Sequence, residues 1–321
     1  MSAARVGRTG PPRRLPLLAG AAILLTSACS PPTTAGAPSQ PPAQRASSTA
    51  SSNAVTDRVV NRIVTMTTQD GTRTAIVHHP ASAGTGAPLI VVLHPAASAA
   101  AQMQSSFGWD AVAERNHLVV VYPEGLLDGQ QDTWNGGACC APANELGTND
   151  VGFLSSLVTA LRTTDQIGKN IYAVGYSNGA FLAYSWACSS QTLLSGLGVV
   201  AGALLTPCPT PRPLPVVIVH GTTDPSVPIG GRPTGRSSFA IPALSQSTAP
   251  FRTAAHCPER PSIDHIDTAT VTTWNCPEGR RIVTDIITGL DHSWPGAGAT
   301  AGSSTEPSDA TGFIWSNLSN R

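Results

Sequence analysis

Gly175-Tyr176-Ser177-Asn178-Gly179 sets a serine between two glycines, directly after the apolar run Ile171-Tyr172-Ala173-Val174 and before Ala180-Phe181-Leu182-Ala183-Tyr184. A sharp strand-to-helix turn crowds the residues two before and two after such a serine, so both positions must be small. The hydroxyl then stands clear at a helix N-terminus, where the positive end of the helix dipole favours a developing anion. This is a nucleophile elbow pattern. Because a serine hydroxyl is a weak nucleophile at neutral pH, the chemistry also demands a histidine base and a carboxylate that fixes its tautomer.

Candidates for both follow in chain order. Asp224 lies in His220-Gly221-Thr222-Thr223-Asp224-Pro225-Ser226-Val227-Pro228, a loop after the apolar run Val216-Val217-Ile218-Val219. His292 lies in Gly289-Leu290-Asp291-His292-Ser293-Trp294-Pro295-Gly296, after the strand-like run Arg281 to Ile287. The order Ser, Asp, His is that of the α/β-hydrolases. Asp285, inside the last run, and Asp291, next to the histidine, suit the orienting role less well. Of the other histidines, His78, His79, His117, His256 and His265 read as surface or packing residues and His220 as a structural strand-end residue. The oxyanion formed on attack needs backbone donors: one from the residue after the nucleophile, Asn178, and one from the loop His94-Pro95-Ala96-Ala97-Ser98 after Leu93. Ala96 is the candidate there, because Pro95 has no N–H to give.

The elements that must position these residues are legible as alternation. Val59 to Thr68 and Arg73 to His79 flank an Asp70-Gly71 turn, the signature of an antiparallel pair. Leu89–Leu93, Leu118–Tyr122, Ile171–Val174 and Val216–Val219 are continuous apolar runs, expected of strands covered on both faces. Helical stretches fall between several of them, at Trp109 to Arg115, Val151 to Arg162 and Ala180 to Trp186, with Asp150 where a cap belongs. The pattern predicts an α/β fold with a mostly parallel, doubly wound sheet in a single domain, its sites at the carboxyl ends of the strands.

Before that domain, Arg5, Arg8, Arg13 and Arg14 precede a short apolar run, Leu15 to Thr26, that ends in Leu25-Thr26-Ser27-Ala28-Cys29. This reads as an export signal over residues 1–28 and resembles a bacterial lipobox, with Cys29 as the residue to be lipidated; Thr26 stands where leucine is usual. Residues 29–56 are rich in Pro, Ser, Thr and Ala and bury too little apolar surface to offset ordering entropy, so a disordered tether is expected. The catalytic domain is then 57–321, exported and held on the outer side of the cell membrane, or extracellular if the anchor is absent.

Six further cysteines, Cys139, Cys140, Cys188, Cys208, Cys257 and Cys276, suit disulfides in an exported chain. Metal binding is disfavoured because Cys139 and Cys140 are adjacent and no paired C-x-x-C spacing occurs. Pairing Cys188 with Cys208 and Cys257 with Cys276 is one of many options, and it would leave Cys139 bonded to Cys140. Lys plus Arg number 19 and Asp plus Glu also 19, so no basic surplus argues for nucleic acid.

Taken together, the elbow with Asn178, His220-Gly221-Thr222 leading to Asp224 and Val227-Pro228, and His292-Ser293-Trp294-Pro295-Gly296 resemble the polyhydroxybutyrate depolymerase and feruloyl esterase family, particularly its bacterial lipoprotein esterases. Trp134-Asn135 near Cys139-Cys140 and Asn149-Asp150-Val151-Gly152-Phe153 extend the likeness, which runs from about Pro88 to Gly296. Two departures stand out: the family usually has His-Gly at His94-Pro95, and a second glycine at Ala180. The resemblance implies an α/β-hydrolase that cleaves carboxylic esters (polyester, feruloyl, acetyl or small) through an acyl-enzyme, with no metal or organic cofactor. Trp134 and Trp294 are candidates to stack on bound substrate, or else core residues. The alternative from another class is a non-catalytic envelope lipoprotein that keeps the scaffold for binding, a reading motivated by His94-Pro95.

Overall fold

The computed structural model describes residues 60–127, 132–189, 194–234 and 239–319; the predicted signal segment, Cys29 and the tether 29–56 lie outside the described residues. The strands are β1 (Val60–Thr68), β2 (Gly71–His79), β3 (Leu89–Leu93), β4 (Val119–Pro123), β5 (Leu126–Leu127), β6 (Asp132–Thr133), β7 (Ile171–Tyr176), β8 (Gly196–Val200), β9 (Val216–Gly221), β10 (Ser262–Ile266), β11 (Ala269–Asn275) and β12 (Arg281–Ile287). The helices are α1 (Ala100–Ser106), α2 (Trp109–Asn116), α3 (Ala143–Leu146), α4 (Asp150–Thr164), α5 (Asn178–Cys188), α6 (Leu244–Ala254) and α7 (Ala310–Ser319).

Ten of these strands form one sheet, in the order β1-β2-β4-β3-β7-β8-β9-β12-β11-β10. The central six, β4 to β12 in that order, are parallel, while β1 and β2 extend one edge and β11 and β10 the other in antiparallel fashion. The continuous apolar runs are explained by burial on both faces. In β3, Leu89, Val91 and Leu93 join the core layer that holds α4 and α5, whereas Ile90 and Val92 join the layer that holds α1, α2 and α7. Successive residues of a strand point to opposite faces, so a doubly covered strand has no polar side to show.

Three bridges close the cysteine set: Cys139–Cys140, Cys188–Cys208 and Cys257–Cys276. The second ties the end of α5 to the segment that follows β8, and the third ties the end of α6 to the end of β11.

Asp150 is not the cap of α4: Asn149 is, its side-chain oxygen accepting from the Gly152 N–H at 3.0 Å. Asp150 is instead buried, paired with the equally buried Arg73 at 2.8 Å and accepting from Asn135 N (2.7 Å) and the Thr148 hydroxyl (2.8 Å). A carboxylate so satisfied ties the start of α4 to β2 and to the segment around Asn135, rather than capping the helix. The sequence reading also passed over β8, the β10–β11 hairpin and α7. In β8, Gly196 and Gly198 interrupt the apolar run, and β10 is exposed along its whole length, so neither has the pattern of a buried strand.

Asp285 sits within β12, fully buried, with neither carboxylate oxygen hydrogen-bonded among the described residues. Burial pushes its pKa up to about 7. The folded chain therefore keeps a proton on Asp285 that the unfolded chain releases from about pH 4 upward, so stability falls as pH rises through the window from about 4 to about 7. Asp285→Asn is expected to match the wild type in thermal unfolding near pH 4 and to exceed it by roughly 5–10 °C near pH 8. Equal midpoints at both pH values would contradict this account of the residue.

Candidate active site

Ser177 occupies the turn between β7 and α5 with φ 52° and ψ −116°, a conformation that a side chain other than glycine rarely adopts. The turn is anchored by the Ser177 N–H, which donates to the Val200 carbonyl of β8 at 3.0 Å. The flanking glycines are sterically required: a methyl group on Gly175 would collide with the Gly179 carbonyl, and one on Gly179 with the carbonyl of Leu93 at the end of β3. The second collision shows how closely the first turn of α5 lies against the loop that begins at His94. Ala180, at the position of the family's further glycine, is buried opposite Gly202, where a methyl would strike the Ala180 side chain. The missing glycine on one element is thus matched by a glycine on its neighbour.

Two loops from the carboxyl ends of β9 and β12 bring the other residues to Ser177. They are stitched together by Thr222 N to Ile287 O (3.0 Å), Thr223 N to Leu290 O (3.0 Å) and Gly289 N to the Thr222 hydroxyl (2.9 Å). His292 Nε2 lies 2.8 Å from Ser177 Oγ and His292 Nδ1 lies 2.7 Å from Asp224 Oδ2. The other oxygen of Asp224 accepts from the N–H groups of Ser226 and Val227, both at 2.8 Å. Burial pushes the Asp224 pKa up, but the hydrogen bonds from His292 and Val227 and the neighbouring histidines outweigh it and hold the carboxyl below its ordinary value. An anionic Asp224 accepts from Nδ1–H, which leaves the Nε2 lone pair facing the serine hydroxyl. That is the tautomer a general base needs.

His220 is the strand-end residue expected of it. Burial pushes its pKa down, and its Nε2–H donates to the Val227 carbonyl at 2.7 Å, bracing the loop that carries Asp224. Asp291, by contrast, is exposed, and Asp285 is buried in β12 with no histidine partner among the described residues.

One residue that sequence reasoning left unused is Tyr176. Its hydroxyl donates to the His292 carbonyl at 2.8 Å, and its ring lies stacked on the His292 imidazole with centroids 5.5 Å apart. Burial, then the charges of Asp224 and Asp291, push its pKa up to about 12, so it stays a donor. The available signal was its place as the last residue before the nucleophile, where a side chain emerges beside the serine. A small residue would have served the elbow equally well.

Asn178 opens α5 and Ala96 lies in the loop after β3, and among the described residues neither N–H has a hydrogen-bond partner. Pro95 does not disorder that loop: its carbonyl accepts from His94 Nδ1 (2.8 Å), and the Ala97 N–H donates to Asp132 O at 3.0 Å.

Of the two readings open for Trp134 and Trp294, stacking on substrate or packing in the core, burial favours the core. Trp134 is fully buried, with its Nε1–H donating to the His94 carbonyl at 2.9 Å. Trp294 is buried against Phe107 and Tyr176, with Nε1–H donating to the Thr311 hydroxyl at 3.1 Å. Neither ring face is open to a ligand, and both indole donors are already used.

No family model matches the chain. It is 27% identical over 232 residues to NocK of Nocardia uniformis subsp. tsuyamanensis, which is named an esterase, covering 66% of this chain and 66% of that one. It is 27% identical over 169 residues to feruloyl esterase B of Piromyces equi, covering 50% of this chain and 30% of that one. It is also 27% identical over 140 residues to poly(3-hydroxyalkanoate) depolymerase C of Paucimonas lemoignei, covering 42% and 32%. The chain thus spans less than two thirds of the length of each of these relatives. Among solved structures it resembles an acetyl xylan esterase from Aspergillus awamori, with a TM-score of 0.52 at 12% identity, covering 72% of this chain and 94% of that one. The fold is that of the α/β-hydrolases.

Proposed function

We propose that this chain, an α/β-hydrolase with homologues named esterase, feruloyl esterase and polyhydroxyalkanoate depolymerase, is a serine carboxylic ester hydrolase. The observation that carries the proposal is the continuous hydrogen-bonded line from Ser177 Oγ through His292 to Asp224, at 2.8 and 2.7 Å, on a strained elbow. Ser177 attacks the ester carbonyl carbon as His292 Nε2 takes its proton. The negative charge moves to the carbonyl oxygen, which the N–H groups of Asn178 and Ala96 receive. The intermediate collapses as His292 returns the proton to the departing alcohol, leaving an acyl group on Ser177. A water, deprotonated by the same histidine, then releases the acid and restores the serine. Asp224 holds the imidazole in register and stabilises its cationic form throughout.

The substrate classes follow from the relatives: polyesters, feruloyl or acetyl groups on polysaccharides, and small esters. The reading extends to location. Residues 1–28 act as an export signal, Cys29 carries a lipid anchor on a 29–56 tether, and 57–321 is the catalytic domain. Three disulfides support an oxidising compartment. The test is a panel on the purified protein: short- and long-acyl nitrophenyl esters, methyl ferulate, acetylated xylan and polyhydroxybutyrate. Hydrolysis of at least the short-acyl ester is expected, and the fastest natural-type substrate assigns the class. A protein that cleaves none of them would overturn the reading.

A further inference from the structure

Trp134 is attached at both of its ends to the two segments that carry the oxyanion donors. On one side its backbone pairs with the side chain of Asn178, the residue after the nucleophile: Trp134 N–H donates to Asn178 Oδ1 at 2.8 Å and Asn178 Nδ2 donates to Trp134 O at 2.9 Å. This two-bond pair closes a ring between an amide side chain and a peptide unit, so it fixes orientation as well as distance. On the other side the indole Nε1–H donates to the His94 carbonyl at 2.9 Å, two residues before Ala96. The His94 ring is itself gripped, Nδ1 against Pro95 O and Nε2 accepting from Gly125 N–H at 2.9 Å, and it packs on the Trp134 ring at a centroid separation of 4.8 Å. Trp134, His94 and Asn178 are all buried, so no water competes for these bonds.

Resting on the ester-hydrolase reading, we infer that Trp134 is a positioning residue that sets the distance between the N–H of Asn178 and the N–H of Ala96, and thereby the geometry of the oxyanion site. An oxyanion site works because its donors are aimed where charge develops before the reaction begins, and a displacement of about 1 Å in such a site can cost about a hundredfold in rate. The two donor segments start from paired strands, β3 and β7 meeting at Leu93 and Gly175, and the first turn of α5 packs against the carbonyls of Leu93 and His94; Trp134 adds hydrogen bonds to both segments beyond the end of that pairing. It also explains how the loop tolerates Pro95. With Trp134 holding the carbonyl of His94, the loop's path does not depend on the conformational freedom that a glycine would give at the next position.

The test is Trp134→Phe, which removes the indole N–H while keeping an aromatic ring. The control is Trp109→Phe, an equal truncation of a fully buried tryptophan in α2 whose Nε1 has no hydrogen-bond partner among the described residues. Each is measured for kcat and KM on a short-acyl nitrophenyl ester, for inhibition by an aryl boronic acid that forms a tetrahedral adduct on the serine, and for thermal unfolding. Trp134→Phe is expected to lower kcat by about 10- to 100-fold with KM within about twofold, and to weaken the boronate by a similar factor. Trp109→Phe is expected to lose stability but keep kcat and boronate affinity. Wild-type kcat and boronate affinity in Trp134→Phe would overturn the inference, as would equal losses in Trp109→Phe, which would mark a general response to a loosened core. A wild-type protein that neither cleaves the ester nor binds the boronate would instead overturn the ester-hydrolase reading itself, and this inference with it.

Discussion

Ser177→Ala is expected to lower kcat for ester hydrolysis by about 10⁶-fold while leaving the fold and its unfolding midpoint near those of the wild type. The size follows from the division of labour in the site. Without Oγ at 2.8 Å from His292 Nε2 there is no nucleophile for the base to activate, and the only catalysis left is what oriented N–H groups give to an attacking water. The same logic makes the effects non-additive: Ser177→Ala combined with His292→Ala is expected to be no slower than either alone, because the two residues act as one device. Stability should hardly change, since the half-buried hydroxyl makes its bond to a histidine that Asp224 and Tyr176 already hold in place. Steady-state rates on a short-acyl nitrophenyl ester check this. A variant within tenfold of wild type would refute the assigned nucleophile.

Asp224→Asn is expected to lower kcat by about 10⁴-fold, again with little loss of stability. The carboxylate has two distinct oxygens, one facing the backbone N–H groups of Ser226 and Val227 and the other facing His292 Nδ1. An asparagine keeps an acceptor only by turning its oxygen to those backbone donors, which points its NH₂ group at Nδ1. The imidazole then accepts at Nδ1 and must carry its proton on Nε2, where the serine proton has to go. The geometry survives while the base is disabled. A loss smaller than about tenfold would mean that another carboxylate orients His292, and neither exposed Asp291 nor isolated Asp285 is placed to do so.

What could be seen in the sequence was whatever the chain must repeat or cannot avoid. The central strands announced themselves because burial on two faces leaves no polar position in Leu89–Leu93 or Val216–Val219, and the elbow because its glycines answer a steric demand. The meeting of Ser177 and Asp224 was legible for the same reason, since both follow the carboxyl ends of such strands, and His292 follows the strand-like run Arg281–Ile287 in the same way. Less visible were features whose pattern is weak or whose partner is distant in sequence. Glycines in β8 hid a central strand, and exposure hid β10. Asn149 and Asp150 are both plausible caps by type, and only the buried Arg73, far away in the chain, decides which of them turns inward. The tryptophans show the limit most clearly. An aromatic near a site reads the same whether its face is open or packed, and the contacts of Trp134 with His94 and Asn178 and of Tyr176 with His292 are ones that no spacing encodes.

The most direct test of the central claim is covalent labelling with a fluorophosphonate, read by intact mass, on the wild type and on Ser177→Ala under the same conditions. An activated Ser177 predicts one adduct on the wild type, located by peptide mapping to the segment that contains Ser177, and none on the variant. No adduct on the wild type, or the same adduct on both proteins, would contradict it.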